Sequence, residues 1–139
     1  MNYEILKQYV ENNQGFIEFL PIKITDIQLG KIRAILEPAG TNANPKGGVH
    51  GGCFYAVADT LAGTTAMTHG YYVTTVSGHI HYLKPGIATE PLYIETQEIH
   101  AGRQLMTYDV IFRNEKKECV CKATLDFYVL SEIEDWKKE

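Results

Sequence analysis

The chain opens on an amphipathic pattern. Ile5, Leu6, Tyr9 and Val10 recur at helical spacing within residues 2–12, and Gly15 ends the pattern, so a short helix is expected there. The period then changes to two. In "IKITDIQLGKIRAILEP" the apolar Ile32, Ala34 and Leu36 alternate with Lys31, Arg33 and Glu37. That predicts two strands folded about Leu29-Gly30, with one buried face and one wet face. Residues 38–48, rich in Pro, Gly and Asn, read as a loop. From about residue 51 to 68 the apolar positions are nearly continuous, and Ala56, Ala58, Ala62 and Ala66 favour helix. A helix that is apolar all round is expected to be enclosed by the rest of the protein. Four strand-like runs follow, at residues 73–83, 92–99, 105–113 and 119–130. Breaks at Lys84-Pro85-Gly86, His100-Ala101-Gly102 and Asn114-Glu115-Lys116-Lys117 separate them. The charged tail, residues 131–139, reads as a frayed helix. One long buried helix with five or six antiparallel strands is an α+β architecture, a curved antiparallel sheet wrapped around the helix.

Size and composition narrow the class. A chain of 139 residues fits a single domain, residues 1–139, and can bury roughly two thirds of its unfolded surface without staples. No repeat, low-complexity stretch or linker interrupts it. The net charge is −4, and the longest basic runs are Lys116-Lys117 and Lys137-Lys138, which argues against a nucleic-acid partner. No apolar run of 18 residues occurs without polar breaks, so no membrane span is expected. The start, "MNYEILKQYVENN", carries charges inside any apolar core, and a signal peptide is not expected. Three irregularly placed cysteines suit reduced thiols in a cytoplasm better than a disulfide frame.

Asp59 is the anomaly, the one charged residue in the long apolar segment "GGCFYAVADTLAGTTAM". Local hydrogen bonds to a buried carboxylate, or a patch where the helix surfaces, would explain it structurally. The functional alternative is a catalytic carboxylate at a dry site, where desolvation raises basicity and suits a general base or nucleophile. Gly51 and Gly52 stand where the helix begins. Free N–H groups there favour developing negative charge, and glycine lets a ligand approach the backbone. An oxyanion site and a carboxylate together suit acyl transfer. Gly51 and Asp59 are eight residues apart, about 12 Å along a helix, too far to touch one reacting atom. The second group of each site is therefore expected from a partner subunit.

"HGGCFYAVADTLAGTTA" resembles the HGG-x-x-x-x-x-x-D signature of the hotdog-fold acyl-CoA thioesterases of the PaaI (phenylacetate-pathway) type. Asn44 matches that family's loop asparagine. "TTVSGHIHYLKPG" is similar to its T-x-x-x-x-I-x-[FY]-[LM]-x-P strand, and "AGRQLMTYDVIFRNEKKECVCKATLDFYVL" to its last pair of strands. The likeness covers roughly residues 15–130. It implies a hotdog fold, in which two subunits join their sheets and enclose two active sites between them, as a dimer or a dimer of dimers. By motif position, Gly51 would donate its N–H to the thioester carbonyl, with His50 and Asn44 shaping that site. Asp59 of the other subunit would activate water or attack the thioester. Of the neighbouring hydroxyls of Thr74, Thr75 and Ser77, the match favours Thr75 to orient the water or the carboxylate, with Ser77 on the same strand face as runner-up. Gly52 belongs to the same helix start. Lys84 and Arg103 are candidate contacts to coenzyme A phosphates or solvated cations. No metal or cofactor is implied. The chain departs from the family at Val57, Cys53, His79 and His81, the two histidines touching on the acyl pocket.

Other chemistry competes for the same residues. Cys53 beside His50 has the makings of a nucleophilic pair, but an enclosed helix makes an inert thiol the expectation. His79-x-His81 puts two imidazoles on one strand face without a third ligand, so solvent-facing or pocket-lining roles are expected. Cys119-x-Cys121 lacks the second cysteine pair of a zinc site. Acyl-CoA hydrolysis is thus the first functional expectation. A non-catalytic acyl-CoA binder of the same fold is the alternative, and a dehydratase lacks its usual Pro- and Gly-rich signature around the histidine. The substrate expected is a CoA thioester with a medium-chain or aromatic acyl group.

Overall fold

The computed structural model describes residues 1–12 and 15–137. Eight regular elements follow in chain order. They are α1 (Tyr3–Glu11), β1 (Ile22–Gln28), β2 (Lys31–Leu36), α2 (Gly51–Met67), β3 (Tyr71–Tyr82), β4 (Leu92–Ala101), β5 (Leu105–Arg113) and β6 (Cys119–Glu132). Short 3-10 turns occupy Phe16–Phe19 and Gly40–Asn42. The six strands form one antiparallel sheet in the order β1-β2-β4-β5-β6-β3. α2 packs against β2, β3, β4, β5 and β6, which is the hotdog arrangement of a sheet around one long helix. Val57, Ala58, Leu61 and Ala62 of α2 are wholly buried among Leu36, Val110, Phe112, Leu125 and Phe127. Burial of apolar side chains at this density is the main stabilising term of such a fold.

The hairpin between β1 and β2 depends on Gly30. Its φ of +74° is left-handed, and a Cβ there would lie 2.5 Å from Glu98 Oε2. Its N–H donates to Thr68 Oγ1 at 2.9 Å, tying the hairpin to the end of α2. The helix's buried hydroxyls are likewise satisfied. Thr65 Oγ1 donates to Leu61 O at 2.7 Å and meets Thr96 Oγ1 of β4 at 2.8 Å, so helix and sheet are joined by polar contacts inside the core.

Two expectations need correction, and the strand order adds a point that chain order does not show. First, α2 is not enclosed on every side by its own chain. Tyr55, Ala56, Asp59, Thr60 and Gly63 are half-buried and share one face at helical spacing. The stripe stays open because the sheet ends at β3, an edge strand twelve residues long whose far side has no neighbour in the sheet. Secondly, β3 and β4 are consecutive in sequence but not paired. β3 crosses to the far edge and pairs with β6, from Tyr71 opposite Glu132 to Tyr82 opposite Cys121. Thirdly, residues 131–137 are not a frayed helix. β6 runs through Glu132, Ile133 and Trp136 are buried, and the N–H of Ile133 donates to Gly70 O at 2.8 Å. These two side chains pack with Leu6 and Met67 in a second apolar cluster, which pins the tail as a turn. Lys138 and Glu139 lie outside the described residues.

Candidate active site

Two groups of the expected site meet directly. Thr75, on the inner face of β3, donates its hydroxyl to Asp59 Oδ1 at 2.6 Å. Oδ2 of Asp59 has no partner among the described residues, so one carboxylate oxygen is held and the other is available to water. Both residues line a cleft of about 300 Å³. The carboxylate is half-buried at the open stripe of α2, so within one chain the site is not the dry one expected.

Ser77 does not share that face. Thr75 pairs with Phe127, but Ser77 pairs with Asp126, the next residue of β6 and not the second. The register therefore slips by one at Val76, a β-bulge that reverses the alternation of every later side chain. Ser77 lies on the outer face and donates to Asp126 Oδ2 at 2.6 Å. Thr107 donates to the other oxygen at 2.6 Å. Both bonds hold the Asp126 carboxyl below the usual carboxylate range, with Ser77 the larger influence. The same slip places His79 and His81 outside, both exposed, their rings 4.6 Å apart, so they do not line the helix-side pocket. Thr75→Val should lower turnover roughly tenfold, the worth of a hydrogen bond to a charged group, while Ser77→Ala should stay within about twofold. Steady-state kinetics of the two variants compare them directly, and the reverse ranking would exchange the roles.

The N-terminus of α2 carries the second half of the site. His50 is its N-cap, and its Nδ1 accepts the Gly52 N–H at 2.8 Å. Gly52 is thereby committed to capping, and an imidazole that accepts at Nδ1 has Nε2 as its N–H. The N–H of Gly51 has no partner among the described residues. It is the donor left open at the helix start, where the dipole favours negative charge. Asn44 Oδ1 accepts from Lys46 N at 2.9 Å and Gly48 N at 3.0 Å, closing its own loop. Its amide NH2 stays unpartnered among the described residues, so toward a ligand Asn44 is a donor. Asn44 and Gly51 line a cleft of about 340 Å³ with Phe54, Tyr82 and Lys84. The loop before β4 closes one side of it through Val49 N–H to Gly86 O at 2.8 Å.

Tyr82 was not foreseen as a site residue. Its hydroxyl donates to Gly51 O at 2.8 Å, and a Cβ on Gly51 would lie 3.2 Å from the Tyr82 hydroxyl oxygen. Position 51 is thus glycine for a close approach as well as for its N–H. Burial, then Cys121 and Tyr55, push the Tyr82 phenol above its ordinary value, so it remains a donor at neutral pH. Its place beside Ile80 in the strand motif was visible in the sequence, but its facing was not, because that depends on the bulge.

The Asp59 and Gly51 clefts share no lining residue. Within one protomer the carboxylate and the open N–H do not meet, as the helix spacing predicts. The two candidate phosphate contacts are also apart. Lys84 N–H donates to Val120 O, and Gln104, next to Arg103, accepts from the N–H of Val129. Nine residue steps along β6 separate those points, roughly 30 Å of strand. Lys84 is paired with Glu118, whose carboxyl it holds below the usual range. The Arg103 side chain is exposed and has no partner among the described residues.

Cys53 faces the core, and burial pushes its thiol up to about 11. A thiol so rarely ionised at neutral pH is a poor nucleophile. Cys53→Ala should keep activity within about threefold, since loss of one small buried group costs little unless it reacts. Protection of the enzyme from a thiol reagent by that substitution would count against this assignment. Among the described residues no group of three or more His, Cys, Asp or Glu side chains comes together to hold a metal.

Comparison with known proteins places this geometry. The family model described as Thioesterase superfamily matches residues 46–121, more than half of the chain. A Thermoplasma acidophilum protein assigned by name to the esterases is 25% identical over 118 residues, 83% of this chain and 88% of that one. The acyl-coenzyme A thioesterase PaaI of Escherichia coli is 30% identical over 71 residues, 51% of each chain. Its structure superposes with a TM-score of 0.81 at 22% identity, covering 87% of this chain and 88% of that one. A Streptococcus mutans protein solved with acetyl CoA bound superposes with a TM-score of 0.80 at 26% identity, over 86% of this chain and 97% of that one. With the matched segment running from the α2 cap through Asp59, Thr75 and Tyr82 into β6, the chain belongs to the thioesterase superfamily and has the hotdog fold of the PaaI-type enzymes.

Proposed function

We propose that the protein hydrolyses acyl-CoA thioesters to a free acid and coenzyme A, at a site completed by two subunits. The observation that carries this is the pairing of a Thr75-held carboxylate on α2 with an open N–H at the start of the same helix, each in its own cleft. Each site would take Gly51, His50 and Asn44 from one chain and Asp59 with Thr75 from the other. The Gly51 N–H and the Asn44 amide receive the thioester oxygen as it gains charge. Asp59 Oδ2 either takes a proton from the attacking water or adds to the carbonyl carbon itself. In both routes the C–S bond breaks and the thiolate leaves, gaining a proton to give CoA. In the first route water supplies the oxygen of the acid directly; in the second, water opens the acyl–Asp59 anhydride, and its attack at the aspartyl carbon leaves water's oxygen in Asp59 and passes an Asp59 oxygen to the acid. Isotopic oxygen from labelled water appearing in the Asp59 carboxyl after one turnover would mark the second route.

A dimer is supported by the β3 edge. Its twelve residues present unpaired backbone groups together with Val76, 58% exposed, the kind of edge another strand covers. Antiparallel pairing of two β3 strands about a two-fold axis would join the sheets and bring the open stripe of each α2 toward the partner. A dimer of dimers is a further step of the same kind. Three free cysteines, two of them buried, support a reducing compartment, the cytoplasm. No helix among the described residues is long and apolar enough to cross a membrane. Thiol release from a panel of acyl-CoAs tests the activity. Tight binding of acyl-CoA without release would establish the non-catalytic binder in its place.

A further inference from the structure

His79 and His81 take no part in the site described above. Both stand exposed on the outer face of β3, ring centroids 4.6 Å apart. Neither imidazole has a hydrogen-bond partner among the described residues. Their polar neighbours on β6 are committed elsewhere. Lys122, opposite His81, is turned to Asp109, Nζ to Oδ2 at 3.6 Å, and Thr124, opposite His79, donates to the other Asp109 oxygen. Two free imidazoles two residues apart on a strand are part of a transition-metal site, and within one chain no third ligand joins them among the described residues. The two-chain active site determines what does. That site needs Asp59 of one chain beside Gly51 of the other. Thr75 of β3 holds Asp59, and Tyr82 of β3 holds Gly51. Thr75 then lies opposite the partner's Tyr82. Antiparallel strands count forward on one and backward on the other. With the bulge residue Val76 taking no place of its own, Ser77 meets the partner's His81, Gly78 the partner's Ile80, and His79 the partner's His79. Residues opposite each other in such a pair share a face. Thr75, Tyr82, Ile80 and Gly78 all face inward, Gly78 leaving room for the Tyr55 hydroxyl, while Ser77, His79 and His81 face outward. Every pair in this register is matched, and a slip of one residue would mismatch them all.

We propose that the dimer binds one divalent transition ion of the zinc class on this outer face, held by His79 and His81 of one chain and the partner's His79. The proposal rests on the two-chain active site, which sets the register and puts the two-fold axis between the two His79 residues. Directly opposed side chains have Cβ atoms about 4.5–5.5 Å apart, so the partner's His79 comes as close to His79 as His81 does. Three imidazoles suit Zn2+ at about 2.0–2.1 Å each, with water in the fourth place. The equivalent set across the axis uses the same two His79 rings, so only one of the two fills. The ion lies on the face of the sheet away from Asp59 and Gly51. Its work is to clasp two β3 edges that otherwise join through backbone bonds and side-chain packing.

The test titrates the chelator-treated full chain with Co2+, a spectroscopic stand-in for Zn2+, while sedimentation follows the dimer. Uptake should saturate at one ion per two chains, with the visible absorption of four-coordinate Co2+, and Zn2+ should displace it. His79→Ala and His81→Ala remove exposed side chains, so folding is not at risk. Each should weaken Co2+ binding at least ~100-fold, more than the loss of an outer-shell partner costs. His100→Ala, an exposed imidazole on β4, should leave it unchanged. With free Zn2+ at about ten times its Kd, the dimer dissociation constant should fall roughly tenfold, the linkage factor for an ion that binds only the dimer. A dimer that takes up no Co2+, uptake of one ion per chain, or binding that survives both histidine substitutions would overturn the metal site and leave the two-chain active site standing. A chain that stays monomeric with and without the ion would overturn both.

Discussion

Replacing Asp59 with asparagine is expected to lower kcat by at least ~10²-fold, the low end for removing a general base, while fold and acyl-CoA affinity stay nearly unchanged. The amide keeps the shape of the carboxylate, and its oxygen can still accept the Thr75 hydroxyl, the one hydrogen bond that Asp59 makes among the described residues. What disappears is the oxygen that takes a proton or adds to the carbonyl. Asparagine also creates no new core contact, because the residue lies on the half-buried stripe of α2. Thiol release gives kcat, and calorimetry with a CoA thioester gives the affinity. Near wild-type turnover in this variant would remove Asp59 from the mechanism. A parallel loss of binding and of thermal stability would assign it a structural role.

The second large effect is recovery of activity on mixing two inactive proteins. Gly51→Pro removes the open N–H and should cost about 10²–10³-fold, as for other oxyanion donors. Position 51 is the first residue of α2, where helix geometry admits proline once the Tyr82 side chain gives way by a few tenths of an ångström, and His50 before it has the extended ψ of 136° that a following proline requires. Unfolded and refolded together, Gly51→Pro and Asp59→Asn chains form hybrids with one intact site and one doubly defective site. Random pairing in a two-fold dimer should then restore roughly a quarter of wild-type activity. Activity no greater than the sum of the two separate proteins, with hybrids shown to form, would place the whole site in one chain. That outcome would require Gly51 and Asp59 of one helix to reach one carbonyl, against their separate clefts.

Much of this protein was legible in its residues. Strict alternation in β2, continuous apolar character in α2 and Gly-rich or Asn-rich breaks located the elements to within a few residues, because buried faces impose their period on the chain. The lone aspartate on an apolar helix, and the distance from it to Gly51, already raised the expectation of a site divided between chains, which is the reading proposed above. Helix rise converts sequence separation into length without reference to anything else.

Three features were settled only by tertiary structure. The neighbour of β3 is β6 and not β4, since strand pairing depends on contacts remote in sequence and no local pattern records them. The charged tail is anchored by Ile133 and Trp136 against Leu6 and Met67, residues from the two ends of the chain and the end of α2 that meet only after folding. Above all, the bulge at Val76 sends Thr75 inward to Asp59 and Ser77 outward to Asp126. Alternation by itself puts both hydroxyls on one face. A single extra residue in the ladder reverses the side of every residue after it, and that residue is identified by its pairing with β6, not by its type.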